Sequence, residues 1–131
     1  SALDYLQSMN TNAKQCWVAG FSFGAWIGMQ LLMRRPEISG FISVSPPANM
    51  YDFSFLAPCP ASGLIINGLA DRVAPPEDTV ILVNKLHEQK GITITHEEVE
   101  GSGHFFEDPH MDPMINSVQT YVKRRMTENT R

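Results

Sequence analysis

Apolar residues recur along this chain at two spacings. Short unbroken apolar runs alternate with longer stretches whose apolar positions repeat every three or four residues. Cys16-Trp17-Val18-Ala19-Gly20, Phe41-Ile42-Ser43-Val44 and Gly63-Leu64-Ile65-Ile66-Asn67-Gly68 are of the first kind. Continuous runs of this length fit strands buried on both faces. Ile92 to Val99, with the β-branched Thr93 and Thr95, predicts a fourth strand. Phe23 to Arg35 is too long for a strand and apolar nearly all round, so it predicts a buried helix. Arg34-Arg35-Pro36 stops it, because cations suit a last turn and proline cannot continue one. Glu77 to Lys90 predicts a second helix with Val80, Val83 and Leu86 inward. Pro113 to Met126 predicts a third, with Met114, Ile115, Val118, Tyr121 and Val122 on one face. Residues 2–9 read as the end of a further helix, through Leu3, Leu6 and Met9. Residues 46–61 read as irregular, and residues 127–131 as a fraying tail.

Alternation of this kind predicts an α/β fold: a parallel sheet of about four strands flanked by helices. Composition narrows the classes of partner. With 43% hydrophobic and 18% charged residues the chain is not of disordered type. Ten Lys and Arg against fourteen Asp and Glu leave no broad basic face, so nucleic acid is not an expected partner. No apolar run approaches the ~20 residues that cross a bilayer, so no membrane partner is expected. The start, Ser1-Ala2-Leu3-Asp4-Tyr5, has no basic flank and no apolar signal core. Sparse cysteine usage, Cys16 and Cys59 alone, points with it to a reducing, cytoplasmic setting; a Cys16–Cys59 disulfide is the weaker alternative. The chain opens on Ser1 rather than Met and is expected to have been processed or truncated.

Gly20-Phe21-Ser22-Phe23-Gly24 is a G-x-S-x-G motif between a predicted strand and a predicted helix. That is the setting of a nucleophile elbow, where the chain reverses sharply so that the serine projects from the strand end. Glycines two residues either side of Ser22 relieve the crowding, and Ala25 and Gly28 keep the helix thin where it crosses the sheet. The backbone N–H of Phe23 would lie at a helix N-terminus, free to donate to an oxyanion. The plainer alternative is a glycine-rich turn with an incidental serine.

A serine hydroxyl is a weak nucleophile and needs a base held by a third group. Asp71 lies in the turn after the third strand and His104 in the glycine-rich loop after the fourth, both at strand C-termini, where open α/β sheets build their sites. Asp71 is the favoured acid; a plain turn former is the alternative role for it, and Asp52 is the rival acid. His87, His96 and His110 lack a comparable setting. His96, His104, Asp108, His110 and Asp112 match no compact metal-ligand spacing. No G-x-G-x-x-G and no Walker loop is present, and no cofactor is expected.

The three motifs, Gly20 to Trp26, Gly68-Leu69-Ala70-Asp71-Arg72-Val73 and Gly103-His104-Phe105-Phe106, occur in the order serine, acid, histidine. In this the chain resembles the C-terminal half of an α/β-hydrolase. It is similar above all to small bacterial serine hydrolases related to dienelactone hydrolase and prolyl-oligopeptidase-like esterases. The resemblance implies Ser22 as nucleophile, His104 as base, Asp71 as its orienting acid and the Phe23 N–H as an oxyanion donor. It implies hydrolysis of small ester-type substrates: carboxylic esters, thioesters or lactones. Dienelactone hydrolases proper carry Cys at the elbow, so Ser22 points to the serine branch.

Such enzymes have an eight-stranded sheet, of which residues 1–131 resemble the last four strands. The chain is therefore expected to be a partial domain lacking its N-terminal strands and the loop that gives the second oxyanion donor. The strand ending at Gly20 is expected to present an open apolar edge and to drive self-association. Only about fifteen residues separate the second and third strands, too few for an independent lid. An uncapped site with Tyr51, Phe53, Phe55, Phe105 or Phe106 nearby would suit short acyl or aromatic esters, though aromatics more often serve the core. Two alternatives stand beside this reading: a non-catalytic binding module of the same fold, and a fragment inactive for want of the full oxyanion hole.

Overall fold

The computed structural model of the chain describes residues 5–10 and 15–129. In chain order they form β1 (Tyr5–Asn10), β2 (Gln15–Phe21), α1 (Phe23–Arg34), β3 (Ile38–Val44), β4 (Gly63–Gly68), α2 (Pro76–His87), β5 (Ile94–Val99) and α3 (Met111–Asn129). The strands lie side by side in the order β1-β2-β3-β4-β5. β2 to β5 are mutually parallel, with Phe21 opposite Val44, Val44 opposite Ile66, and Gly68 opposite Val99. This four-stranded parallel sheet with three helices is the expected α/β fold.

The unbroken apolar runs become the middle of the sheet because both of its faces are covered. Every residue of β4 is buried, and every residue of β3 except Ser39. The strands follow one another across the sheet, so right-handed crossovers put their helices on one face. α1 and α2 cover that face, through Met29 and Leu32, and through Leu82, Val83 and Leu86, packed with Val18, Phe41, Ile65 and Ile94. α3 follows the last strand and covers the other face, where Tyr121 packs with Trp17, Ile42, Leu64, Ile66 and Phe106. The Arg125 guanidinium ties α3 to the strand N-termini, donating to the carbonyls of Ser39 and Ser62 and lying 4.6 Å over the Trp17 ring.

Several sequence expectations shift. Residues 5–10 are a strand, not a helix; they pair antiparallel with β2, from Tyr5 opposite Gly20 to Asn10 opposite Gln15. Residues 2–4 of that expected helix lie outside the described residues. The edge of β2 is therefore not open, because β1 takes up its backbone donors and acceptors. α1 is buried along one face rather than all round, with Ile27 and Met33 exposed. In α2 the inward positions are Thr79, Leu82, Val83 and Leu86, while Val80 points outward. Ile115 of α3 is likewise exposed. Residues 45–62 contain no helix or strand. Cys16 and Cys59 are both buried and not disulfide-bonded. Among the described residues no helix is long and apolar enough to cross a membrane.

Candidate active site

In a parallel sheet all strand C-termini emerge at one end, so the loops that follow them converge there. Ser22 follows β2, Ser45 follows β3, Asp71 follows β4 and His104 follows β5.

Ser22 holds a sharp reversal, with φ 56 and ψ −120. Its N–H donates to the Val44 carbonyl at 2.8 Å, and its carbonyl accepts from Ala25 N–H at 2.9 Å. Non-glycine residues seldom hold positive φ, and the surrounding structure must enforce it. Part of that enforcement is Gly20: a Cβ there would fall onto the Gly24 carbonyl. Ser22 caps α1 without using its side chain, so its hydroxyl is available elsewhere.

That hydroxyl lies 2.8 Å from His104 Nε2. His104 Nδ1 lies 2.8 Å from Asp71 Oδ2. The Asp71 carboxylate can only accept, so the proton belongs on Nδ1 and leaves Nε2 to accept from Ser22. Asp71 and His104 are both 4% exposed. Oδ1 of Asp71 accepts the N–H groups of Val73 and Ala74, each at 2.8 Å. These bonds fix the carboxylate so that Oδ2 faces the imidazole. The acid and histidine loops are also joined: Ala70 N–H donates to the Ser102 carbonyl at 2.8 Å. Gly68 permits this approach, since a Cβ there would strike the same carbonyl.

Ser45 is a member of this site that sequence reasoning missed. It is fully buried at φ 52, and its hydroxyl donates to the His104 carbonyl at 2.8 Å. Its N–H donates to the Ile66 carbonyl at 2.7 Å, so one residue ties the histidine loop to the sheet. Its position directly after β3, at the end shared with Ser22, is the signal that could have found it. Phe23, the expected oxyanion donor, opens α1, and first-turn N–H groups have no partner four residues back. Its ring packs with Tyr51 and Trp26, and Trp26 Nε1–H donates to the Asp52 carbonyl. These rings bind the segment after β3 to α1.

The rival residues stand apart from this chain of hydrogen bonds. Asp52 is exposed, and its Oδ1 accepts from Ser54 N–H. His87 bonds the Ile94 carbonyl, and His96 the side chain of Asn67 at 2.6 Å. Among the described residues no three His, Cys, Asp or Glu side chains gather as metal ligands would. Of the aromatics, Phe53 and Phe106 are core, whereas Tyr51 and Phe105 are exposed.

No protein-family model matches the chain. It is 51% identical over 110 residues to an uncharacterized protein of Rickettsia prowazekii strain Madrid E, covering 81% of this chain and 46% of that one. Among solved structures it superposes on an Agrobacterium tumefaciens protein of unknown function, provisionally classed as an α/β hydrolase. The TM-score is 0.85 at 61% identity, over 88% of this chain and 52% of that one. A Xanthomonas campestris α/β serine hydrolase without a lid matches at TM-score 0.70 and 31% identity, over 82% and 46%. A Coxiella burnetii α/β serine hydrolase homologue matches at 0.68 and 29%, over 79% and 48%. The chain spans about half the length of the relatives it matches. Its four-stranded parallel sheet and three helices match the α/β-hydrolase fold of these neighbours.

Proposed function

We propose that this chain carries the nucleophile, base and orienting acid of a serine hydrolase acting on small ester-type substrates. One observation carries the reading: the unbroken hydrogen-bond series Ser22 Oγ, His104 Nε2, His104 Nδ1, Asp71 Oδ2, with both links at 2.8 Å. Likeness to serine hydrolases of the same fold supports it.

In the proposed reaction His104 Nε2 takes the Ser22 proton as Oγ attacks the carbonyl carbon. Asp71 holds the imidazole in the required tautomer and offsets the charge it gains. The Phe23 N–H, aided by the α1 dipole, donates a hydrogen bond to the developing oxyanion. Collapse breaks the bond to the leaving group, which takes its proton from His104. Water, activated by the same base, then releases the acyl group. The second oxyanion donor belongs, by the family resemblance, to a part of the relatives that this chain does not match. Loss of one such donor costs on the order of 10²–10³ in rate. The segment after β3, residues 45–62, is short and holds no helix or strand, which favours small substrates.

Turnover of p-nitrophenyl esters and fluorophosphonate labelling of the intact protein test this. Ser22→Ala is expected to abolish both. Labelling that persists in that variant would overturn the assignment.

A further inference from the structure

Two phenylalanines follow His104, and the backbone sends their rings opposite ways. Phe106 adopts φ 50 and is buried to 1% exposure among the α3-side core. A bulky residue takes that conformation only at a steric cost. Phe105 is left 57% exposed. It is nonetheless positioned: its ring stands edge-on to the His104 imidazole, 5.0 Å between centroids at 86°. It also packs against Phe21 at 5.8 Å, and Phe21 lies 5.4 Å from the imidazole. The strained Phe106 thus accompanies an apolar ring held in water against the base. Single exposed apolar residues are ordinary, but this one touches the group that must deliver a proton.

The chemistry says which part of a substrate meets it. As the Ser22 Oγ–carbon bond forms and the carbon–oxygen bond to the alcohol breaks, the proton taken by Nε2 passes to the departing oxygen. That oxygen must come within about 2.6–3.2 Å of Nε2. The group it bears then lies along the imidazole flank, where Phe21 and Phe105 stand. The rings of Phe23, Trp26 and Tyr51, by contrast, are engaged with one another.

We infer that Phe105, backed by Phe21, is the leaving-group contact of this site and selects esters of apolar, ring-bearing alcohols. The inference rests on the hydrolase reading. Aromatic pairing of this kind is worth about three- to tenfold in binding.

The test compares 2-phenylethyl acetate with ethyl acetate in the intact protein, two esters whose alcohols have similar acidity. The wild type is expected to prefer the former in kcat/KM. Phe105→Ala is expected to lower that preference about three- to tenfold, and Phe105→Tyr to keep it. An unchanged ratio in Phe105→Ala, with both esters still turned over, overturns the subsite alone. So does an equal loss on both esters, which would make Phe105 a support for His104. Failure of the wild type to hydrolyse either ester, with no fluorophosphonate labelling of Ser22, overturns the hydrolase reading and the subsite with it.

Discussion

Ser22 sits at positive φ, a conformation that costs about 1–3 kcal/mol for a non-glycine residue. Its place between a strand and a helix made it legible in the sequence, as did the loops holding Asp71 and His104. What the sequence could not supply was the distances, since residues 22, 71 and 104 meet only through the sheet. Ser45 was illegible for the same reason: a serine before Pro46 looks like any strand terminus until its hydroxyl is seen on the His104 carbonyl. His96 is a second residue whose behaviour depends on its surroundings. Burial pushes its pKa below the usual histidine value of 6.5; Glu98 and Glu97 oppose this, and His87 adds to it. The unfolded chain therefore takes up the proton more readily. His96's share of stability is full above the ordinary histidine range and is lost as pH falls through it. Urea midpoints measured near about pH 7.5 and about pH 5 are expected to drop less in His96→Gln than in the wild type. An equal drop would remove His96 from the acid response.

At the scale of elements, period and length predicted β2 to β5 and the three helices, with ends moved by a few residues. The exceptions have a common cause. Residues 2–9 show helical spacing through Leu3, Leu6 and Met9, yet residues 5–10 pair with β2, because an open strand edge offers a row of backbone partners that weak local periodicity does not outweigh. In α2, Thr79 rather than Val80 faces inward, since the helix is oriented by its whole apolar face. The elbow is the element most exposed to a single change. Gly20→Ala would drive a methyl group onto the Gly24 carbonyl, which is backbone and cannot swing aside. A loss of about 3 kcal/mol or more is expected in urea unfolding, at the upper end of overpacking costs. An unfolding midpoint within error of the wild type would show that the turn can relax.

At the scale of the molecule, the two helical layers close the sheet's faces but not its ends, where β1 and β5 are the outer strands. We propose that an uncovered β2 edge would drive self-association and that β1 restrains this by pairing with it. Sedimentation velocity tests the point: removing residues 1–10 is expected to shift the chain to larger species. A truncated chain as monodisperse as the full one would count against it.

The sequence by itself determined the α/β class, because apolar runs and helical periods are local patterns that burial reads directly. It also placed a serine, an acid and a histidine at the ends of strands, in that order along the chain. Only the tertiary structure decided that Asp71 rather than Asp52 faces His104, that Ser45 anchors that histidine's backbone, and that Phe105 stays out while Phe106 goes in. These depend on which strand ends lie side by side, and parallel pairing sets that between residues far apart in the chain.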